Sequence, residues 1–195
     1  MRSNKTLFCT LAALVVFGVA VPVQAGLLPV KVTITPESDI YRWTYGVVLT
    51  SDSEIHTGDF FTIYDFGGYL PGTNVQPDGF EFSASFTGPT PGRLAPDDNP
   101  LHMNLTWTYV GPDITSGQLG LGNFSANSTS GASMDGFFTA QTHRQVDGRV
   151  DSNITPTDLP VPMIPTIPEP ATLALMGIGL PLVGAARWLR RNKSA

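Results

Sequence analysis

Three histidines could act as bases or metal ligands: His56, His102 and His143. They are far apart and fit neither H-x-x-x-H nor H-E-x-x-H spacing. A triad or metal site would have to assemble through the fold, and surface or edge positions are the plainer reading. Acidic side chains supply a second set. Asp97 and Asp98 adjoin, Asp147 lies near Asp151, and Asp151-Ser152-Asn153 offers oxygens to a calcium ion. No complete D-x-[DN]-x-[DN]-G loop accompanies them, so solvated surface charge competes with calcium as their role. The sequence contains no G-x-G-x-x-G, Walker loop or G-x-S-x-G. Paired carboxylates for glycoside hydrolysis are defined by distance in space, and spacing along the chain leaves them open. Trp43 and Trp107 could stack on sugars, but each lies in an alternating strand pattern that assigns it to a core. Asn-x-Ser/Thr triplets at Asn104, Asn123, Asn127 and Asn153 arise readily in a chain this rich in Ser, Thr and Asn.

Any such residues would be positioned by strands. Val30–Thr35 alternates apolar and polar residues. Tyr41, Trp43, Tyr45, Val47 and Leu49 repeat at period two, so they share one face of a strand. Further strands are predicted over 60–66, 80–87, 101–109, 119–125 and 134–142. Pro71-Gly72, Pro77-Asp78-Gly79 and Gly111-Pro112 supply the turns between them. Residues 88–100 hold Pro89, Pro91, Pro96 and Pro100 and read as a loop. No window from 27 to 160 carries a helical apolar stripe. About seven aromatic-rich strands predict an all-β fold, an antiparallel β-sandwich or jelly-roll-like domain over 26–154. Residues 155–167, with Pro156, Pro160, Pro162 and Pro165, read as an extended spacer.

Charge and cysteine usage narrow the function classes. Between 26 and 167 there are five basic and fifteen acidic residues, a net −10. Such a body argues against nucleic acid, which needs clustered Lys and Arg. Cys9 is the only cysteine, so the body has no disulfide and no thiol nucleophile.

The two ends have different compositions. Arg2 and Lys5 precede a short apolar core, Leu7–Val21, and Pro22 and Val23-Gln24-Ala25 follow it. That is the layout of a signal peptide over 1–25, an N-terminal signal helix with cleavage by signal peptidase between Ala25 and Gly26. At the other end, 171–189 is nineteen residues long and polar only at Thr172 and Arg187. A helix of that length, at about 1.5 Å per residue, spans nearly the ~30 Å of a bilayer core. The basic residues Arg187, Arg190, Arg191 and Lys193 behind it would stay cytoplasmic as a stop-transfer signal. The body would then lie outside the inner membrane.

Pro168-Glu169-Pro170, then Ala171-Thr172, the Gly-containing apolar span and the basic end, in that order over 168–193, resemble the PEP-CTERM sorting signal of Gram-negative bacteria. The resemblance covers about one-seventh of the chain. It implies recognition at Pro168, Glu169 and Pro170 by an exosortase, transient membrane attachment through the transmembrane helix, and removal of the tail. It also implies release to the cell surface or extracellular matrix, in association with exopolysaccharide and biofilm. Substrates of this system do not catalyse it, so no catalytic residue is carried over.

Three expectations follow. The first is a secreted surface or matrix protein without catalysis or a cofactor. The second is a polysaccharide-binding or polysaccharide-acting protein using loops 67–79 and 88–100. The third is a type I membrane protein that keeps its C-terminal helix.

Overall fold

The computed structural model describes residues 26–115 and 119–162. The expected signal helix, the transmembrane helix and the sorting residues Pro168, Glu169 and Pro170 lie outside them. So do Ala25 and the basic residues Arg187, Arg190, Arg191 and Lys193. The described residues form nine strands and no helix. They are β1 (Leu27–Glu37), β2 (Ile40–Leu49), β3 (Ser53–Glu54), β4 (Phe60–Phe66), β5 (Phe80–Ser85), β6 (Met103–Tyr109), β7 (Leu119–Ser128), β8 (Ser133–Arg144) and β9 (Val150–Pro160).

All strand pairs are antiparallel. One sheet has the order β1-β2-β7, and the other runs β3-β8-β4-β6-β5 with β9 on β8. The period-two face of β2 is buried as expected: Trp43, Tyr45 and Leu49 are fully covered and Val47 is nearly so. Facing them are Phe61 and Ile63 of β4, Leu105 and Trp107 of β6, and Phe138 of β8. Phe124 of β7 joins the two layers. Its ring stands edge-on to Phe61 at 4.9 Å and to Phe80 at 4.8 Å, with Trp107 at 5.8 Å. Two polar bonds cross the same core. Tyr45 Oη donates to Asp158 O at 3.0 Å, and Trp43 Nε1 donates to Ser130 O at 2.9 Å. Each satisfies a buried donor that would otherwise cost about 1–3 kcal/mol.

The expected spacer needs correction. Residues 155–160 are strand, because β9 pairs with β8 from His143↔Val150 to Ser133↔Pro160. Its prolines are tolerated because β9 is an edge strand, with no neighbour asking for their missing N–H. Asn153 and Thr157 are buried in an inward row that also holds Leu159. Polar residues at inward positions made this strand resemble a linker in sequence.

Loop 67–79 does structural duty. Tyr69 and Val75 bridge to Ser128 and Ser125. Asn127 N donates to Thr73 Oγ1, and Leu70 N donates to Asn127 O. The loop therefore covers the free edge of β7, an edge that would otherwise invite pairing with another chain.

Candidate functional site

The fold brings two of the three histidines together. The turn His56–Asp59 closes through Asp59 N to His56 O at 3.0 Å, with Gly58 at φ +95°. Glycine is the residue that reaches this region cheaply. Gly58 N donates to Tyr109 O and Tyr109 N to Asp59 O, which fixes the turn to β6. The Asp59 side chain is thereby buried, 1% exposed. Its Oδ2 accepts from His56 N at 2.8 Å and faces His143 Nδ1 at 3.0 Å, and its Oδ1 accepts from Gln141 Nε2 at 3.3 Å. The His56 and His143 rings stack at 4.1 Å with 13° between planes, and His56 Nε2 meets Glu54 Oε2 at 3.1 Å. Two carboxylate–imidazole pairs thus lie ring against ring. An aspartate on Nδ1 would leave Nε2 of His143 as the basic nitrogen, half of an acid–base dyad. Among the described residues the rings' hydrogen-bond partners are carboxylates, Glu54 for His56 and Asp59 for His143. The cluster fastens β3, the turn and β8 to one another.

His102 stands elsewhere, beside the acidic group of the 88–100 loop. Asp98 Oδ1 accepts from Asn104 Nδ2, and Asp65 Oδ1 accepts from Asn99 N, both at 2.9 Å. Burial raises the Asp65 carboxyl above the usual aspartate range. The Asn99 N–H and the charge of His102 oppose that shift, and Asp98 and Asp97 reinforce it. A raised carboxyl gives stability that is full below the unfolded pKa and lost as pH rises through the folded value. Asp65→Asn keeps the acceptor for Asn99, tolerates the φ of +54° and removes the charge. It is expected to raise Tm at pH 7 and to leave Tm at pH 3 nearly unchanged. Thermal melts at both pH values check this; an equal shift at both would contradict it.

The other acidic pair is also engaged. Asp147 pairs with Arg144 and with Arg149, and Asp151 Oδ1 accepts from Ser152 N. Among the described residues no group of three or more His, Cys, Asp or Glu side chains could hold a metal ion. Trp43 and Trp107 are fully buried and cannot stack on an external sugar. Of the four glycosylation triplets, Asn104, Asn127 and Asn153 are buried and only Asn123 is exposed.

A feature that sequence spacing does not disclose is a groove of about 560 Å3 between the 88–100 loop and the β8–β9 hairpin. Arg93, Arg144 and Arg149 line it with Asp151 and Ser152. These arginines are three of the five basic residues between 26 and 167. Arg93 sits at φ +74° in a turn closed by Leu94 N to Pro91 O at 3.2 Å. Glycine would be about 1 kcal/mol cheaper there.

The remaining functional information is in the C-terminal stretch. Residues 166–191 match the family model of the PEP-CTERM protein-sorting motif. The chain carries a PEP-CTERM sorting motif. The motif indicates export and exosortase-mediated sorting to the cell surface. Comparison with curated proteins gave no match. The PEP-CTERM signal speaks to destination and processing; the β domain must be read from its own residues.

Proposed function

We propose that this protein is a non-catalytic β-sandwich delivered to the cell surface or extracellular matrix, where it contributes to an exopolysaccharide or biofilm layer. The observation that carries this reading is the sorting motif at 166–191. Exosortase and signal peptidase are its processing partners, and residues 171–189 hold it in the membrane until the tail is removed. Pro168, Glu169 and Pro170 are the residues that the exosortase would read. Glu169→Ala is expected to leave the protein in the membrane fraction at a higher mass, with Arg190 and Arg191 retained. Fractionation with intact-mass measurement tests this. An unchanged mass and location would remove the sorting half of the proposal, and a retained tail in the natural protein would favour a permanent type I anchor.

The groove favours a second reading, a polysaccharide-binding role. Three arginines within an otherwise acidic body suit a carboxylate-bearing glycan, since guanidinium forks match carboxylates in pairs. A polyuronate is expected to bind the exported protein more weakly as salt rises, with a loss of about tenfold on Arg93→Glu. Equal affinity for a neutral glycan, or none for either, would remove this reading.

A further inference from the structure

The backbone nitrogen of Gly26 donates to two hydroxyl oxygens at once, Thr50 Oγ1 at 2.9 Å and Ser53 Oγ at 2.8 Å. Within a peptide bond this nitrogen has one hydrogen, which must be shared between them. Two more oxygens lie beside the Cα of the same residue. A Cβ added at Gly26 would clash with Asn153 Oδ1 and stand 3.4 Å from Thr142 Oγ1. Both of those oxygens are buried and neither has a hydrogen-bond partner. Thr142 is fully covered and Asn153 is 9% exposed. Unpaired buried polar atoms of this kind are uncommon and call for a missing partner. Thr50 Oγ1 in turn donates to Asp52 Oδ1 at 2.7 Å, which places a carboxylate one hydroxyl away from the nitrogen.

Two hydroxyl oxygens on one N–H, two unpaired buried oxygens on the Cα side of the same residue and a nearby negative charge fit a donor with more hydrogens and a positive charge. We infer that this cage is the seat of the mature amino terminus, the ammonium group that signal-peptide removal creates on Gly26. The inference rests on cleavage between Ala25 and Gly26. Water adds across that bond; Ala25 leaves as a carboxylate and the Gly26 nitrogen becomes –NH3+. One donor becomes three, one for each of the two hydroxyls and a third to spare on a residue flanked by two unpaired oxygens. Gly26 O already accepts from Thr50 N at 3.0 Å, and Leu27 O accepts from Asn153 Nδ2 at 2.9 Å, so the terminus enters a seat that β1 has aligned. No side chain fits at position 26. Its φ is +113°, and the Cβ clash is with the cage itself. Cleavage is therefore the last step in completing the fold, and the exported form is more stable than any form that keeps residues ahead of Gly26.

The test uses the full chain exported from cells. One form has the natural leader. The other carries Ser-Glu inserted between Ala25 and Gly26, which returns Gly26 N to an amide and moves the ammonium away. N-terminal sequencing establishes each start. The Gly26-starting protein is expected to melt about 3–6 °C higher. Ser53→Ala is expected to lower Tm in the natural form by more than in the extended form, because it removes a cage acceptor. A natural terminus other than Gly26 overturns the inference together with the cleavage assignment. A Gly26 terminus with equal melting in both forms, or an equal Ser53→Ala effect in both, overturns the seat while leaving the cleavage assignment standing.

Discussion

Replacing Phe124 by alanine is expected to lower the unfolding free energy by about 3–5 kcal/mol, the usual cost of removing a large buried aromatic side chain. The site belongs at the upper end of that range for a geometric reason. Phe124 is fully buried and is the β7 side chain on which three rings of the opposite sheet converge. Phe61 and Phe80 meet it at 87° and 85°, the edge-to-face arrangement that adds attraction beyond area burial. Behind Phe61 lie Trp107 at 5.2 Å and Phe138 at 5.0 Å, both nearly parallel to it. That stack is held within its own sheet and cannot slide far into the gap. A cavity would remain, and cavity volume adds to the transfer cost. Phe82→Ala makes the comparison, since Phe82 lies half-buried on the edge strand β5 and should cost about 1–2 kcal/mol. Urea unfolding of both variants checks the pair. A loss below about 1 kcal/mol for Phe124 would mean that the two layers do not depend on this contact.

The legibility of this fold follows its aromatic spacing. Trp43, Tyr45, Val47 and Leu49 announced a buried face because period two has no other use in so short a stretch. The strand over 101–109 was readable for the same reason, and those over 60–66 and 134–142 from their paired aromatic residues, Phe60-Phe61 and Phe137-Phe138. β9 was not, since Asn153, Thr155 and Thr157 occupy its inward row and Pro156 interrupts it. The available signal lay just upstream: Asp147-Gly148 is a hairpin turn pair, and Gly148 has φ +64°. It should have required a return strand to β8. β3 is two residues long and carries no period at all. The histidine cluster was unreadable for a different reason. His56 and His143 meet through the pairing Glu54↔His143, a register that nothing local specifies. Convergence of the arginines depends equally on where the 88–100 loop lies. The sorting signal, by contrast, was legible, because its residues are contiguous in the chain.

Asp59→Ala is expected to cost about 3 kcal/mol, an effect large for a residue outside the apolar core. The carboxylate accepts from His56 N and Gln141 Nε2 and faces His143 Nδ1 at 3.0 Å. Its removal strands them in a pocket that water reaches poorly, and each buried unpaired donor costs about 1–3 kcal/mol. Hydrogen bonds to a charged acceptor are also the stronger kind. The backbone consequence compounds the loss. His56 N to Asp59 Oδ2 holds the turn in shape, and that turn bonds to β6 through Gly58 N and Asp59 O. Loosening it would free the start of β4 and the β3–β8 pairing together. A double-mutant cycle with His143→Ala separates this account from simple loss of packing. Neighbours in one network do not add, and a coupling of about 1 kcal/mol or more is expected between the two positions. Additive losses would show that Asp59 acts through its turn alone, with the stacked imidazoles as bystanders.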